Sequence, residues 1–154
     1  MLVKEVMTEQ VVTVTTEDAV EKCANLLLKH NISGLPVLDK SGRLAGIITE
    51  GDLIRRASRI KAPGYLEILG GGIYLGSPKK FVDEILRAIS LSTGEMMTKK
   101  VITVNPEDNV EQAATLMVKN KISRLPVIDA AGILKGIVSR RDIMQHLYQE
   151  SNES

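Results

Sequence analysis

The chain contains no tryptophan, one phenylalanine and three tyrosines among 154 residues. Proteins that hold single-stranded nucleic acid stack its bases on aromatic faces, and this sequence has almost none to offer. Its core must be assembled from Val, Ile, Leu, Met and Ala. Cys23 is the sole cysteine, which excludes an internal disulfide and a metal site made of several thiolates. A single thiol fits a reducing cytoplasm. An excess of one charge sign is also missing, with 20 basic residues against 19 acidic ones, so a nucleic-acid binder's electrostatic footprint is not expected. No apolar run is long enough to span a membrane. The start, Met1-Leu2-Val3-Lys4-Glu5, lacks the apolar stretch of an export signal, so the expectation is a soluble, cytoplasmic protein.

Catalytic and metal signatures are equally sparse. No Ser, His and Asp fall into an arrangement that supports nucleophilic catalysis. Gly70-Gly71-Gly72 is not followed by Lys-Ser/Thr and reads as a turn or a close backbone contact rather than a phosphate-binding loop. His30 and His146 have no second ligand at a suitable spacing. Cys23 sits on a helix core face and reads as a buried structural thiol, and Met96, Met97 and Met117 read as core fillers.

What the sequence does have is an internal repeat. Adding ninety to a residue number carries Met7-Thr8 onto Met97-Thr98, Thr13-Val14 onto Thr103-Val104, and Glu17-Asp18 onto Glu107-Asp108. It also carries Ile32-Ser33 onto Ile122-Ser123, Leu35-Pro36-Val37 onto Leu125-Pro126-Val127, and Asp39, Gly42, Gly46, Ile47 and Asp52 onto Asp129, Gly132, Gly136, Ile137 and Asp142. Roughly half of about fifty aligned positions are identical, so one structural unit occurs twice.

Each unit reads β-α-β-β-α. In the first, Val11–Val14 is a short β-rich run. A helix follows, with Asp18 as N-cap and Glu21 at capping-box spacing, and with Val20, Cys23, Ala24, Leu27 and Leu28 on one apolar face. Val110, Ala113, Ala114, Met117 and Val118 repeat that face. A strand Leu35–Leu38, a turn Asp39–Gly42, a strand Leu44–Thr49 and a helix Glu50–Ala57 complete the unit. About fifty residues bury too little surface to be secure alone, so the halves are expected to pack sheet against sheet and share one core. The fold class is therefore α/β (α+β), with pseudo-two-fold symmetry. The expected division is a repeat over 1–57, a connector over 58–93, a repeat over 94–149 and a disordered tail over 150–154. Within the connector, Ser77-Pro78 predicts a helix start, with Phe81, Val82, Ile85, Leu86 and Ile89 on one face.

The chemistry lies where the last strand meets the last helix: Thr49-Glu50-Gly51-Asp52 in one repeat, Ser139-Arg140-Arg141-Asp142 in the other. A hydroxyl leaves the strand and an Asp follows three residues later, so both side chains can point into one cleft. The new helix offers unpaired N–H groups suited to a phosphate, and an ionised Asp can accept two hydrogen bonds from the cis-diol of a ribose. Alone, the same spacing describes a plain helix cap with an acidic first turn; here it occurs twice, behind the same strand.

The Met-Thr start, the Ile-Ser-x-Leu-Pro-Val strand and the Gly-Ile-hydrophobic-hydroxyl-x-x-Asp junction resemble those of the CBS-domain family, over about residues 3–57 and 93–147. The segment Tyr65–Leu75 is similar to the connector of stand-alone tandem CBS proteins of prokaryotes. The resemblance implies a Bateman module with two pseudo-symmetric clefts that bind adenosine-containing nucleotides, AMP, ADP, ATP or a related adenosyl compound, as regulatory ligands with no required cofactor. Carried onto this chain, it places Thr49 and Asp52 with Ile32, Gly34, Leu35 and Pro36 in the first site. It places Ser139 and Asp142 with Ile122, Arg124, Leu125 and Pro126 in the second. Val14 and Thr16, and Val104 and Pro106, would line the base pockets.

The junctions differ in charge. Arg140 and Arg141 replace Glu50 and Gly51, and Arg124 replaces Gly34, so the second cleft is expected to prefer the more charged ligand. The family also implies a homodimer, for which Leu53, Ile54, Ile143, Met144 and Leu147 supply an outer apolar face. An unidentified regulated protein is a further expected partner; a membrane is not, and nucleic acid is suggested only by Arg140-Arg141 and Lys79-Lys80. The rival reading is an interaction module without ligand that docks an enzyme or transporter.

Overall fold

The computed structural model describes residues 1–57, 65–68, 71–74, 79 and 91–152. The predicted connector helix beyond Lys79 falls outside them. The chain opens with a helical turn, α1 (Val3–Val6), and a two-residue strand, β1 (Val14–Thr15). Then come α2 (Val20–His30), β2 (Gly34–Leu38), β3 (Leu44–Thr49) and α3 (Glu50–Ala57). A hairpin of β4 (Tyr65–Ile68) and β5 (Gly71–Tyr74) stands in the connector, so Gly71 and Gly72 of the glycine run lie in a strand. The pattern then returns as α4 (Thr93–Met96), α5 (Val110–Asn120), β6 (Arg124–Ile128), β7 (Leu134–Ser139) and α6 (Arg140–Asn152). The last helix runs into the segment read as a disordered tail.

β2 lies between a parallel β1 and an antiparallel β3; β6 pairs antiparallel with β7, and Val104 bridges to Val127 where β1 pairs in the first repeat. Both hairpins turn on an Asp whose Oδ1 accepts two backbone N–H groups, Asp39 from Ser41 and Arg43, Asp129 from Ala131 and Ile133. Gly42 and Gly132 close these turns at φ near +80°, where a side chain would strain the backbone.

Two details of the helices depart from expectation. Asp18 is not the cap of α2. Ala19 occupies that position, and the Asp18 carboxylate reaches back to the Thr15 amide at 2.8 Å and to Lys22 at 3.0 Å. In the second repeat Asn109 does cap, in a capping box with Gln112. Leu28 and Val118 are not core residues but 80% and 75% exposed. Position i+8 lies about 80° round the helix from position i, and one small sheet covers only the stripe of Val20, Cys23 and Leu27.

The core is two clusters rather than one, and neither belongs to one repeat. Val14, Cys23, Leu27, Leu35, Val37 and Ile48 are joined by Met96 and Met97 from the far half. Val104, Val110, Ala113, Met117, Leu125, Val127, Val138 and Ile143 are joined by Val3, Val6 and Met7. Each repeat lends its opening turn to the other. The loan is fixed by backbone: Thr98 pairs with Ile47 through N–H···O bonds of 2.8 and 3.0 Å, and Thr8 with Ile137 through bonds of 2.9 and 3.0 Å. Glycine makes room for it. A Cβ on Gly46 would lie 2.5 Å from Met97 Sδ and 2.8 Å from the Thr98 carbonyl; one on Gly136 would meet Met7 and Thr8 in the same way. The antiparallel bridge between the equivalent residues Arg43 and Ile133 marks where the pseudo-two-fold axis passes.

Candidate functional site

The two strand-to-helix junctions are built alike. Asp52 Oδ2 accepts the Thr49 amide at 2.9 Å and the Thr49 hydroxyl at 3.0 Å, while Thr49 Oγ1 accepts the Asp52 amide at 3.2 Å. Asp142 and Ser139 repeat this with 2.7, 2.7 and 3.2 Å. This is the reciprocal cap of a helix start, and it holds each hydroxyl and carboxylate in one orientation. The helix-opening amides of Glu50 and Arg140 are tied to the Ser33 and Ser123 carbonyls at 3.1 and 2.9 Å.

The carboxylates differ in their second oxygen. Asp52 Oδ1 accepts an Arg55 guanidinium N–H at 2.6 Å. Among the described residues nothing bonds Asp142 Oδ1, and Gln145 stands where Arg55 stands in the first repeat.

Each junction opens on its own cavity, and both cavities cross the pseudo-two-fold axis. The first, of about 450 Å³, joins Thr49, Asp52 and Arg55 to Val101, Ile102, Ile122 and Pro126 of the second repeat. The second, of about 630 Å³, joins Ser139, Asp142 and Arg141 to Val11, Val12, Ile32 and Gly34 of the first. The expected partition within repeats is thus corrected: Ile32 and Gly34 serve Asp142, and Ile122 and Pro126 serve Asp52. The lent segments cause the crossing, since each opening turn lies along the other repeat's last strand and carries the residues after it into that cleft. Leu35, Leu125, Val14 and Val104 are buried core residues and line neither cavity. Pro36 is fully buried and also lines neither. Thr16 and Pro106 are taken up by the lent turns, their carbonyls accepting the amides of Gly94 and Lys4.

Ser33, Glu50, Ser123, Arg124 and Arg140 line both cavities and form the wall between them. Arg124 reaches across this wall. Its guanidinium donates to the Ser33 hydroxyl and, at 3.1 Å, to the Ser123 hydroxyl, and it lies over Gly34 so closely that a Cβ there would collide with it. Burial draws its pKa below the ordinary arginine value, partly offset by the nearby Glu50 carboxylate. Arg140 Nε is spent on the Ile122 carbonyl at 3.1 Å.

The expectation that the second cleft is the more cationic is not met by the lining. The first carries five basic and two acidic residues, a formal surplus of three; the second carries three and two, a surplus of one. Lys100, Lys121 and Arg55 make the difference. Lys100 and Lys121 lie outside the junctions, and the ninety-residue offset pairs them with Gln10 and Asn31. Among the described residues no group of His, Cys, Asp and Glu could hold a metal ion, and no helix is long and apolar enough to cross a membrane.

Known proteins share this architecture. The chain is 34% identical to the uncharacterised protein MJ1426 of Methanocaldococcus jannaschii over 96% of its own length and 91% of that protein's. Two longer relatives from that organism, both enzymes, are matched over only 22% of their length. The CBS domain pair of MJ0100, solved with 5′-methylthioadenosine and S-adenosyl-L-methionine, superposes with a TM-score of 0.70 at 27% identity, covering 97% of this chain and 98% of that one. CBSX2 in complex with AMP superposes at 0.75 with 26% identity and the same coverage. The CBS domain family itself matches residues 3–59 and 94–149, and with two such repeats folded as a pair, the chain belongs to it.

Proposed function

We propose that this chain is a regulatory, non-catalytic module that binds adenosine-containing ligands in the clefts between its repeats. Residues 58–93 serve as the connector. The observation that carries the reading is the Asp142 carboxylate. One oxygen is held by the Ser139 amide and hydroxyl, and the other is left for a ligand at a cavity with an apolar wall of Val11, Val12 and Ile32. An acceptor pre-set in this way suits a ribose cis-diol, and the apolar wall suits a purine. The adenosyl ligands of the MJ0100 and CBSX2 complexes support the same class of ligand here. AMP, ADP, ATP and adenosyl sulfur compounds all fit this description.

Ligand at about a hundred times its dissociation constant adds roughly 2.7 kcal/mol to stability. The melting temperature is therefore expected to rise by several degrees with at least one adenosine compound, and less with its guanosine counterpart. Asp142→Ala should weaken binding by roughly ten- to a hundredfold. Deoxyribose analogues should lose about as much on the wild type and little more on the variant; additive losses would remove Asp142 from the ribose. No shift with any adenosyl compound at millimolar concentration would favour a module that docks a partner protein without a ligand.

We further propose a homodimer. The face assigned to it needs correcting, because Ile143 is 6% exposed in the core and Leu53 packs against the first cluster. The exposed apolar residues of the closing helices are Ile54, Met144, Leu147 and Tyr148. Light scattering should give twice 16.8 kDa, and Ile54→Asp with Met144→Asp should give folded monomers. A monomeric wild type at tens of micromolar would end this proposal.

A further inference from the structure

The two clefts share a backbone plan but not a wall chemistry. At three positions that line the first cleft a cation stands where the residue ninety positions away is an amide: Lys100 against Gln10 and Lys121 against Asn31, both amides lining the second cleft, and Arg55 against Gln145, which does not line it. Lys121 is notable for its backbone as well. It ends α5 at φ 55°, in the left-handed region, where its counterpart Asn31 is an ordinary occupant and a lysine is not. Arg55 also satisfies the outer oxygen of Asp52, so that carboxylate meets a ligand already paired, whereas Asp142 meets it with an oxygen to spare. The first cleft thus presents concentrated positive charge and an occupied diol acceptor. The second presents neutral amides with the single unshared cation Arg141 and, among the described residues, an open acceptor.

From this we infer that the clefts divide the ligand between them: the Asp52 cleft selects a nucleoside polyphosphate by its charge, and the Asp142 cleft selects a ribonucleoside of little charge by its diol. The inference rests on the adenosyl reading and sharpens it. Arg124 and Arg140 stand in the shared wall, so the discrimination falls to the four unshared cations, Arg55, Lys100 and Lys121 in the first cleft against Arg141 in the second. Lys100 and Lys121 are exposed, so their attraction is screened by salt.

The test exchanges the unshared residues. Lys100→Gln with Lys121→Asn gives the first cleft the second cleft's amides, and asparagine at 121 suits the left-handed backbone, so the fold is preserved. ATP and adenosine are titrated by calorimetry into the full chain at low and moderate salt. In the wild type, ATP affinity should fall with salt while adenosine affinity holds. In the double variant, the ratio of ATP to adenosine affinity should drop by about tenfold. Arg141→Ala, in the second cleft alone, should change that ratio much less. The division is overturned if the double variant leaves the ratio unchanged, or if Arg141→Ala lowers it as far. If both ligands bind but the ratio behaves this way, only the division fails. If neither ligand binds the wild type at millimolar concentration, the adenosyl reading fails and the division with it.

Discussion

Gln10 and Asn31 in one cleft stand where Lys100 and Lys121 stand in the other, on backbones that otherwise repeat each other nearly bond for bond. The hairpins show the same contrast on a smaller scale. Asp39 is held by the Ser41 hydroxyl as well as by two amides, and Asp129 by two amides and Lys135. In the cores, Cys23 and Thr93 of one cluster stand where Ala113 and Val3 stand in the other. The halves share what the fold needs, namely the glycines of the hairpin turns and of the bridges, the capping hydroxyls and the buried aliphatic stripe. The side chains that face a cleft or fill a corner were left able to diverge. The comparison between halves therefore separates scaffold from specificity within a single sequence.

The contacts that bind the halves together are the place to break this symmetry most severely. Gly46→Ala and Gly136→Ala should each cost about 1–3 kcal/mol, because the new methyl would lie 2.8 Å and 2.9 Å from the carbonyls of Thr98 and Thr8, which the backbone bridges hold in place. The two losses should be similar, since the carbonyl contacts nearly match. Urea denaturation reads them. No loss at either position would show that the lent turns give way easily.

A gentler separation comes from acid. Hydrogen bonds hold the Asp39 carboxyl below its ordinary value of 3.8, chiefly the one from Ser41, and those to Asp129 do the same, chiefly the one from the Ile133 amide. A carboxyl depressed in the folded state stabilises it above the unfolded-state value, and that contribution is lost as pH falls through the lower, folded value. The urea midpoint should therefore decline as pH is taken below about 4, and Asp39→Asn or Asp129→Asn should each flatten that decline. An acid limb unaltered by either variant would mean that the turns contribute nothing to it.

The smallest expected effect lies at Thr93. It is fully buried, its hydroxyl donates to the Asp18 carbonyl at 2.8 Å, and it touches Cys23 Sγ at 3.1 Å. The other cluster has Val3 at this position, and the Thr93 amide continues to satisfy the same carbonyl at 2.9 Å when the hydroxyl is gone. Thr93→Val should shift stability by less than about 1 kcal/mol in thermal denaturation. A larger loss would show that the polar pair of Thr93 and Cys23 is not interchangeable with its apolar twin.

Most of the fold was legible because periodicity and repetition report on local structure. The strand Leu44–Thr49, the helix Glu50–Ala57 and the hairpin turns follow directly from their residues. The exchange of opening turns was not legible. Met7-Thr8 and Met97-Thr98 read alike whichever sheet they join, and only the three-dimensional pairing tells Thr8 to sit beside Ile137. The same ambiguity hid the grouping of the cleft walls: Asp52 and Asp142 each line a cavity, but Ile122 lines the one with Asp52 and Ile32 the one with Asp142. Charge was misread for a simpler reason. Arg141 is adjacent in sequence to its junction, whereas Lys100 and Lys121 reach the first cleft from segments far from Asp52 in sequence.

The lent turns also dictate the order in which the molecule can be made. During synthesis the first repeat emerges complete in its strands and helices, yet its sheet lacks Thr98 and its core lacks Met96 and Met97. Those residues arrive only after the whole connector has been translated. Meanwhile the opening turn, with Val3 and Met7 uncovered, waits for Asp108 and Ile137 to follow. Such distant pairings make closure slow and late, so the nascent chain passes through a long interval with apolar surface exposed.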